Sequence, residues 1–272
     1  MDRYAVFGHP VGHSLSPRIH QLFAEETAQQ LEYERIEPPL EGFAQAVADF
    51  QAAGGSGANV TVPFKQEAWS LSGQRSERAE RAGAVNTLIL GEVIYGDNTD
   101  GEGLVNDLRN NLGVGLAGKR LLLVGAGGAA RGVVGALLAE QPATLVVANR
   151  TPTRARQLAA EFDDLGSIEG CGLEDLASER FEVVINATSS GLDGQVPDLP
   201  ASIVAEGATA YDMLYGAEPT PFLRWASAHG AFRSRDGLGM LVEQGAASFE
   251  LWRRIRPSTE PVIEALRHDT RP

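Results

Sequence analysis

The sequence predicts a two-lobed α/β protein, in which an N-terminal α/β lobe is followed by a Rossmann-type, doubly wound lobe. Strand and helix signals alternate along the whole chain, which is typical of mostly parallel sheets. The length of 272 residues is large for one compact core and suits two. A continuous apolar run at residues 121–124 leads into a glycine-rich turn, as does the first strand of a doubly wound sheet.

The first lobe begins with short apolar runs that stop at Gly or Pro, and each of them predicts a strand. These predicted strands lie at residues 4–7, 58–62, 85–90 and 92–95. A first helix opens at Ser16-Pro17, with Ser16 as its cap and Pro17 at the first helical position. Apolar residues at helical spacing predict two further helices, one over residues 43–50 and one over residues 104–112.

A β-α-β-α-β series begins at Lys119, and we place the boundary between the two lobes near residues 100–103. Its predicted strands lie at residues 121–124, 145–148, 181–185 and 208–211, with helices after the first two. A last helical stretch, residues 238–254, follows Asp236-Gly237 and is predicted to fold back onto the first lobe. No internal repeat or low-complexity segment interrupts this order.

The charge balance excludes several classes of partner. The formal net charge is −13, with 36 acidic and 23 basic residues, whereas nucleic acids and anionic membranes attract a positive surface. An anionic ligand would therefore need basic residues concentrated at its own site. Cys171 is the single cysteine, which rules out an internal disulfide and fits a reducing compartment. With no export signal and no bilayer-length apolar run, we expect a cytoplasmic protein.

The glycine-rich turn after residues 121–124 matches the phosphate-binding turn of a Rossmann unit. It reads Gly125-x-Gly127-x-x-Ala130, with alanine in the third position of the motif. The first glycine permits a tight turn, the second lets a pyrophosphate approach the backbone, and the helix N-terminus offers free N–H groups. Such turns also serve packing alone, so the motif by itself is weak.

The end of the next strand indicates which dinucleotide binds. An NAD enzyme usually has Asp or Glu there, but this chain has Asn149-Arg150-Thr151, with Arg154 one helical turn later. Two guanidinium groups suit the 2′-phosphate of NADP. The alternative, two solvated arginines, is disfavoured because cations near a helix N-terminus oppose its dipole unless an anion joins them.

Polar residues cluster at strand ends in the first lobe. Ser14 and Ser16 lead a helix, as either an ordinary cap or a carboxylate cradle. Asn59 and Thr61 share one face of a strand, and Lys65 follows just beyond. A lone lysine in such a place is usually a solvated surface group. Asn86 and the segment 97–100, which ends at Asp100, add further polar groups. For the segment 97–100, turn and cap roles are the simpler interpretation.

Taken together, these segments resemble those of shikimate dehydrogenases, and the resemblance runs from Tyr4 to about Ile263. Jointly the motifs are specific, although the glycine-rich turn alone would not be. The matching segments are residues 4–8, 13–17, 57–65, 82–87, 96–101, 125–130, 149–151, 186–188 and 236–241.

The resemblance implies a function and a domain organisation. That family reduces 3-dehydroshikimate to shikimate with NADPH, reversibly, in the pathway to chorismate and the aromatic amino acids. Residues 1–101, completed by C-terminal helices at about 238–272, would form the substrate-binding and catalytic domain. Residues 102–237 would form the NADP-binding Rossmann domain.

The resemblance also implies a role for individual residues. Ser14 and Ser16 would hold the substrate carboxylate, Thr61, Asn86 and Asp100 would hold ring oxygens, and Lys65 would lie at the reacting oxygen. Asn59, Tyr215 and Gln244 would complete the substrate site. The residues expected to contact the cofactor are Gly125, Ala126, Gly127, Gly128, Ala129, Ala130, Asn149, Arg150, Thr151, Arg154, Ala187, Met213 and Gly237.

The chemistry agrees with these roles. Hydride addition puts negative charge on the carbonyl oxygen, which must be stabilised and protonated. The Lys65 ammonium would do both, and Asp100 would favour and orient its charged form. The five histidines include no convincing set of metal ligands, so no metal is expected. His13 is better read as a scaffold residue than as the base.

Two residues depart from the family pattern, and three other functions compete. His9 and Gln21 stand where the family often has Asn, which puts details of the Ser14 loop in doubt.

A quinate/shikimate dehydrogenase that uses NAD or NADP is disfavoured by Arg150, by the absence of an acid at that strand end, and by the two hydroxyls of Ser14 and Ser16. A non-catalytic NADP sensor would not need Lys65 and Asp100, and methylenetetrahydrofolate dehydrogenase chemistry fits the polar clusters less well. We expect a monomer or a homodimer with a small-molecule substrate.

Overall fold

A computed structural model of the chain describes residues 1–269 and contains two compact units. The first unit joins residues 1–103 to residues 242–265. The second joins residues 104–241 to the last described residues, 266–269. Residues 270–272, which end the C-terminal part of the predicted substrate domain, lie outside the described residues.

Twelve strands and ten α-helices make up the described chain. The strands are β1 (Asp2–Phe7), β2 (Leu31–Ile36), β3 (Gly55–Val60), β4 (Gln74–Arg75), β5 (Thr87–Ile89), β6 (Tyr95–Asp97), β7 (Arg120–Val124), β8 (Thr144–Asn149), β9 (Ile168–Gly172), β10 (Phe181–Asn186), β11 (Val204–Asp212) and β12 (Arg233–Asp236). The helices are α1 (Ser16–Glu26), α2 (Phe43–Ala52), α3 (Lys65–Leu71), α4 (Glu77–Ala82), α5 (Asp100–Asn106), α6 (Gly128–Ala139), α7 (Pro152–Ala160), α8 (Pro221–Ala228), α9 (Leu238–Arg253) and α10 (Glu260–Asp269).

The first unit is built on a mixed six-stranded sheet in the order β2-β1-β3-β5-β6-β4. β1 runs parallel to both of its neighbours, whereas β5 pairs antiparallel with β3 and with β6. The predicted pair of strands around Gly91 is present, but the second strand starts at Tyr95 instead of Glu92. Parallel pairing therefore covers only part of this sheet, because a tight turn can join only antiparallel strands.

Helix α2 shows how the apolar pattern builds the core of the first unit. Phe43, Val47 and Phe50 are each at most 5% exposed and lie on one helical face. The ring of Phe7, from β1, meets Phe43 and Phe50 edge-on with centroids 5.8 Å apart. Burial of these side chains against the sheet fixes the helix in place.

The start of α1 differs from the prediction. Ser16 is the first residue of the helix rather than its cap, and Leu15 occupies the cap position without a side-chain bond. Pro17 lies in the first helical positions, as predicted. The Ser16 hydroxyl is therefore not used to cap a backbone N–H of its own helix.

The second unit is a parallel sheet in the order β12-β11-β10-β7-β8-β9. Read from β9, this is the 3-2-1-4-5-6 order of a doubly wound fold, as the sequence predicts. Leu121 and Leu123 of β7 enter one apolar core, and Leu122 and Val124 enter the other. Burial on both faces is the reason why this strand is continuously apolar.

Four strands that the sequence analysis missed are the four edge strands, namely β2 and β4 in the first sheet and β12 and β9 in the second. An edge strand has one paired neighbour and more contact with solvent, so it carries more polar residues. β2 reads LEYERI and β12 reads RSRD, and neither has the apolar run on which strand prediction depends.

Candidate active site

Lys65 and Asp100 form an ion pair in the first unit, with Nζ 2.6 Å from Oδ2. Lys65 is the first residue of α3, and Asp100 is the first residue of α5. The Asp100 side chain is 10% exposed and that of Lys65 is 28% exposed, so the amine keeps access from outside. The structure thus joins the two predicted catalytic residues.

Asn86 binds the other oxygen of Asp100. Its Nδ2 lies 2.8 Å from Asp100 Oδ1, 3.0 Å from Thr99 Oγ1 and 3.3 Å from Gln244 Oε1. Its Oδ1 accepts hydrogen bonds from the backbone N–H of Thr99 at 2.9 Å and from Thr87 Oγ1 at 2.9 Å. This network fixes the Asn86 amide and places Lys65, Asp100, Asn86 and Gln244 at one site.

Asn59 is buried at the centre of a second network. Its Oδ1 accepts from Tyr33 Oη at 2.8 Å and faces His20 Nε2 at 3.2 Å. Its Nδ2 donates to Ser248 Oγ at 2.9 Å. At 5% exposure, Asn59 has little surface for a ligand and serves to hold its neighbours. Thr61 is half-buried just beyond the end of β3, where its N–H donates to the Phe7 carbonyl at 2.8 Å.

Ser14 and Ser16 form a small hydroxyl pair. Ser14 Oγ lies 3.2 Å from Ser16 Oγ and accepts from the Ser16 N–H at 3.2 Å. The Ser14 carbonyl accepts two hydrogen bonds from the Arg35 guanidinium, at 3.0 and 2.6 Å. The two predicted carboxylate-binding hydroxyls are therefore adjacent, and an arginine anchors their backbone.

Sequence reasoning missed Tyr33, Arg35 and Ser248. Ser248 lies four residues after Gln244 on α9 and accepts the Asn59 amide, so helical spacing could have indicated it. Tyr33 and Arg35 belong to the unpredicted edge strand β2, and no local signal marked them. Burial raises the pKa of the Tyr33 phenol well above its usual range, although a hydrogen bond with Ser16 acts in the opposite direction.

The glycine-rich turn of the second unit leaves its backbone open to solvent at the start of α6. Gly125 has φ +113°, and a Cβ there would lie 3.2 Å from the backbone of Ala187. Gly127 is the N-cap of α6, and a Cβ on either Gly127 or Gly128 would meet no atom within 4 Å. The exposed start of α6 therefore presents its free N–H groups on an open surface.

Arg150 and Arg154 follow β8, and both are exposed. Within residues 1–269 neither guanidinium has a carboxylate within 4.0 Å, whereas Arg131 on α6 is paired with Glu161. Asn149 Nδ2 donates to the Thr151 carbonyl at 3.0 Å and shapes the turn between strand and helix. The two arginines are therefore free to bind an anion.

A buried carboxylate organises the ends of β10 and β11 in the second unit. Asp212 accepts from Asn186 Nδ2 at 3.1 Å, from the Leu214 N–H at 3.1 Å and from Thr220 Oγ1 at 2.5 Å. Burial raises the pKa of Asp212, although these hydrogen bonds lower it. The network fixes the segments that carry Ala187 and Met213.

Gly237 and Tyr215 also belong to the second unit. A Cβ on Gly237 would lie 2.3 Å from the Met213 carbonyl oxygen, so these two predicted cofactor contacts are in van der Waals contact with each other. The Tyr215 side chain is 37% exposed.

Residues 1–269 contain no group of three or more His, Cys, Asp or Glu that could hold a metal ion. No helix in the same part of the chain is both long and apolar enough to cross a membrane.

Comparison with known proteins identifies the family. Three family profiles match in succession: the shikimate dehydrogenase substrate binding domain over residues 6–88, shikimate/quinate 5-dehydrogenase over residues 107–193, and the shikimate 5′-dehydrogenase C-terminal domain over residues 237–267. A relative from Alkalilimnicola ehrlichii, named shikimate dehydrogenase (NADP+), is 57% identical and the match covers 98% of both chains. The chain belongs to the shikimate dehydrogenase family. The resemblance read from the sequence is thereby confirmed.

Other relatives agree with this family assignment. A shikimate dehydrogenase (NADP+) from Methylococcus capsulatus is 55% identical, over 99% of this chain and 98% of its own. The crystal structure of shikimate 5-dehydrogenase from Thermus thermophilus, in complex with NADP(H) and shikimate, has a TM-score of 0.87 at 37% identity and covers 98% of this chain and 99% of its own. An Ael1 enzyme from Pseudomonas putida has a TM-score of 0.93 at 46% identity, with 98% of both chains covered. These likenesses confirm the predicted fold class, a substrate-binding lobe followed by a Rossmann lobe.

Proposed function

We propose that this chain is an NADP-dependent oxidoreductase that reduces 3-dehydroshikimate to shikimate, reversibly, in the pathway to chorismate. The observation that carries the proposal is the Lys65–Asp100 pair, with Asn86 bound to the second carboxylate oxygen. This pair places a proton donor, the Lys65 ammonium, beside an oriented acceptor, the Asp100 carboxylate. The relatives of the chain are named for this activity.

The substrate binds, in this proposal, to the polar groups of the first unit. The Ser14 and Ser16 hydroxyls donate to its carboxylate, and Thr61, Asn86 and Asp100 hold ring oxygens. Gln244, fixed against Asn86 at 3.3 Å, completes the contacts within this unit. Tyr215, in the second unit, remains a predicted substrate contact. A preorganised set of donors needs little rearrangement when the ligand arrives, which favours both affinity and rate.

Lys65 carries the proton transfer. In reduction, its ammonium stabilises the negative charge that develops on the carbonyl oxygen and then protonates it. In oxidation, the neutral amine accepts the proton of the substrate hydroxyl. Asp100, 2.6 Å from Nζ, accepts a hydrogen bond from the amine and orients it.

The second unit contains residues that fit NADP. The turn Gly125, Ala126, Gly127, Gly128, Ala129 and Ala130 would hold the pyrophosphate, because Gly127 and Gly128 leave the backbone open to it. Arg150 and Arg154, with Asn149 and Thr151, would hold the 2′-phosphate. Ala187, Met213 and Gly237 would border the nicotinamide. When bound, NADPH supplies the two electrons and the hydrogen that reduce the carbonyl carbon.

The test is a rate measurement with two substrates and two cofactors. Absorbance at 340 nm follows the purified chain with shikimate or quinate, each with NADP+ or NAD+. We expect the highest kcat/KM for shikimate with NADP+. A preference for quinate or for NAD+ would replace this proposal with the quinate/shikimate activity, and no turnover with any pair would favour a cofactor sensor. The cytoplasmic location and the monomeric or dimeric state predicted from the sequence remain predictions.

A further inference from the structure

Arg35 anchors the loop that carries the two substrate serines. It lies on β2, two residues after Tyr33, so both side chains are on the same face of the strand. Its Nε and Nη2 donate to the Ser14 carbonyl at 3.0 and 2.6 Å. Tyr33 reaches Asn59 at 2.8 Å and also interacts with Ser16. One strand face therefore supports the Ser14 backbone and the Ser16 hydroxyl together.

The charge of Arg35 is not cancelled by an ion pair. Within residues 1–269 no carboxylate lies within 4.0 Å of its guanidinium. The flanking acids are engaged elsewhere, since Glu34 pairs with Arg3 at 2.7 Å and Glu37 accepts the Val11 N–H at 2.9 Å. On a chain with a net charge of −13, this guanidinium therefore places uncancelled positive charge beside the Ser14 backbone.

The position of this cation has a physical consequence for an anion at Ser14 and Ser16. A carbonyl oxygen beside a bound carboxylate would repel it, but here the guanidinium binds that oxygen with two charge-assisted bonds. The positive charge also raises the local electrostatic potential, which attracts an anion. Dissolved salt screens this attraction.

We propose that Arg35 is a specificity-determining positioning residue, which holds the Ser14 backbone and supplies the positive potential that selects a substrate with a carboxylate. This inference rests on the proposed function, and it adds a residue that touches the substrate loop rather than the reacting atoms. It accounts for the condition that an acidic protein must concentrate positive charge where its anionic ligand binds.

The experiment compares shikimate with its methyl ester, which lacks the negative charge, as substrates of the full chain with NADP+. We expect Arg35→Met to raise KM for shikimate about tenfold and to leave KM for NADP+ unchanged and kcat within about twofold. KM for the ester should change by less than about twofold. The ratio of KM for the ester to KM for shikimate should therefore decrease in Arg35→Met. Arg35→Lys, which keeps the charge but loses the planar fork, should lie between the wild type and Arg35→Met.

Salt and a matched control separate charge from structure. KM of the wild type for shikimate should rise with ionic strength, and this dependence should flatten in Arg35→Met. Arg254→Met removes the same charge from an exposed position at the end of α9 and should behave as the wild type. Equal losses for acid and ester, or an unchanged salt dependence in Arg35→Met, would overturn the role of Arg35. A wild type that oxidises neither substrate would instead overturn the proposed function.

Discussion

At the scale of single residues, the candidate site depends on how Lys65 is held. The chain has only two lysines, Lys65 and Lys119, and one of them lies beside Asp100. A chance pairing from a lysine-rich surface therefore does not explain this contact. The carboxylate is bound on both oxygens, by Lys65 at 2.6 Å and by Asn86 at 2.8 Å. Two partners leave it little freedom to rotate, which fixes the direction of the Lys65 amine.

Replacing Lys65 tests its part in proton transfer. We expect Lys65→Ala to lower kcat by a factor of roughly 10² to 10⁴, because general acid–base help is lost, with little change in NADPH affinity. Steady-state rates and a fluorescence titration of NADPH would measure both. Lys119→Ala, which removes the other lysine, should retain wild-type turnover. A Lys65→Ala enzyme with most of its turnover would remove Lys65 from the mechanism.

Charge reversal at Arg150 tests the cofactor assignment. We expect Arg150→Asp to weaken NADPH about 100-fold, because one charge-assisted bond to the 2′-phosphate becomes a repulsion, and to change NADH binding little. KM values for both cofactors measure the difference. Arg156→Asp, at an exposed position on the helix α7 that follows Arg150, serves as the matched control. Equal losses for NADPH and NADH would contradict the assignment.

The residues at the site differ in how far the sequence revealed them. Lys65, Asn86 and Asp100 lie in short polar segments beside strands, a pattern that can be read locally. Tyr33 is half-buried and Arg35 is exposed on a strand with no fully buried residue, and both look like ordinary surface residues in the sequence. Their contacts with Asn59 and Ser14 arise only when distant segments pack together.

At the scale of elements, central strands were predictable and edge strands were not. β7 and β10 are buried on both faces and consist largely of apolar residues. β9 lies at the edge of the same sheet, contains two glycines and is mostly half-buried. Hydrophobic patterning records burial, so an element that is weakly buried leaves a weak pattern.

The junction between β12 and α9 gives a test at this scale. A Cβ on Gly237 would lie 2.3 Å from the Met213 carbonyl oxygen and 2.8 Å from its carbon. Both atoms belong to the backbone, so Gly237→Ala must displace either the backbone of Met213 or the junction between β12 and α9. We expect it to lower the free energy of unfolding by about 1–3 kcal/mol and to raise KM for NADPH.

Urea unfolding and cofactor kinetics would measure the Gly237→Ala effect. Gly115→Ala is the matched control, since a Cβ there meets no atom within 4 Å. The contact would be shown to be unimportant if both alanine variants matched the wild type in stability and in KM.

At the scale of the whole molecule, stability is coupled to pH through His20. The ring is 1% exposed and stacks on Tyr33 with centroids 4.4 Å apart. Burial lowers its pKa to about 3, although the hydrogen bond with Asn59 acts in the opposite direction. The folded chain therefore keeps His20 neutral at pH values where an unfolded chain protonates its histidines, at a pKa of about 6.5.

The sign of the resulting pH dependence follows from proton binding. Between pH 6.5 and 3 the unfolded state binds one more proton at His20 than the folded state, so acid favours unfolding. From pH 6.5 to 5 this amounts to about 2 kcal/mol, at about 1.4 kcal/mol per pH unit.

Replacing His20 should remove this part of the pH dependence. His20→Phe keeps an aromatic ring against Tyr33. When the pH falls from 6.5 to 5, we expect its free energy of unfolding to decrease by about 2 kcal/mol less than that of the wild type. Urea unfolding at the two pH values measures the difference, with exposed His268→Phe as the control. The same pH dependence in the wild type and in His20→Phe would contradict a buried neutral ring.

The sequence by itself determined the two-lobed α/β class, the central strands, the phosphate-binding turn and the polar segments that resemble shikimate dehydrogenases. These features are encoded within short stretches of neighbouring residues, as apolar periodicity and turn chemistry. Only the tertiary structure decided the edge strands and the contacts between remote segments. Gln244 meets Asn86 across 158 residues and Ser248 meets Asn59 across 189, because packing, and not local sequence, brings such groups within hydrogen-bond distance.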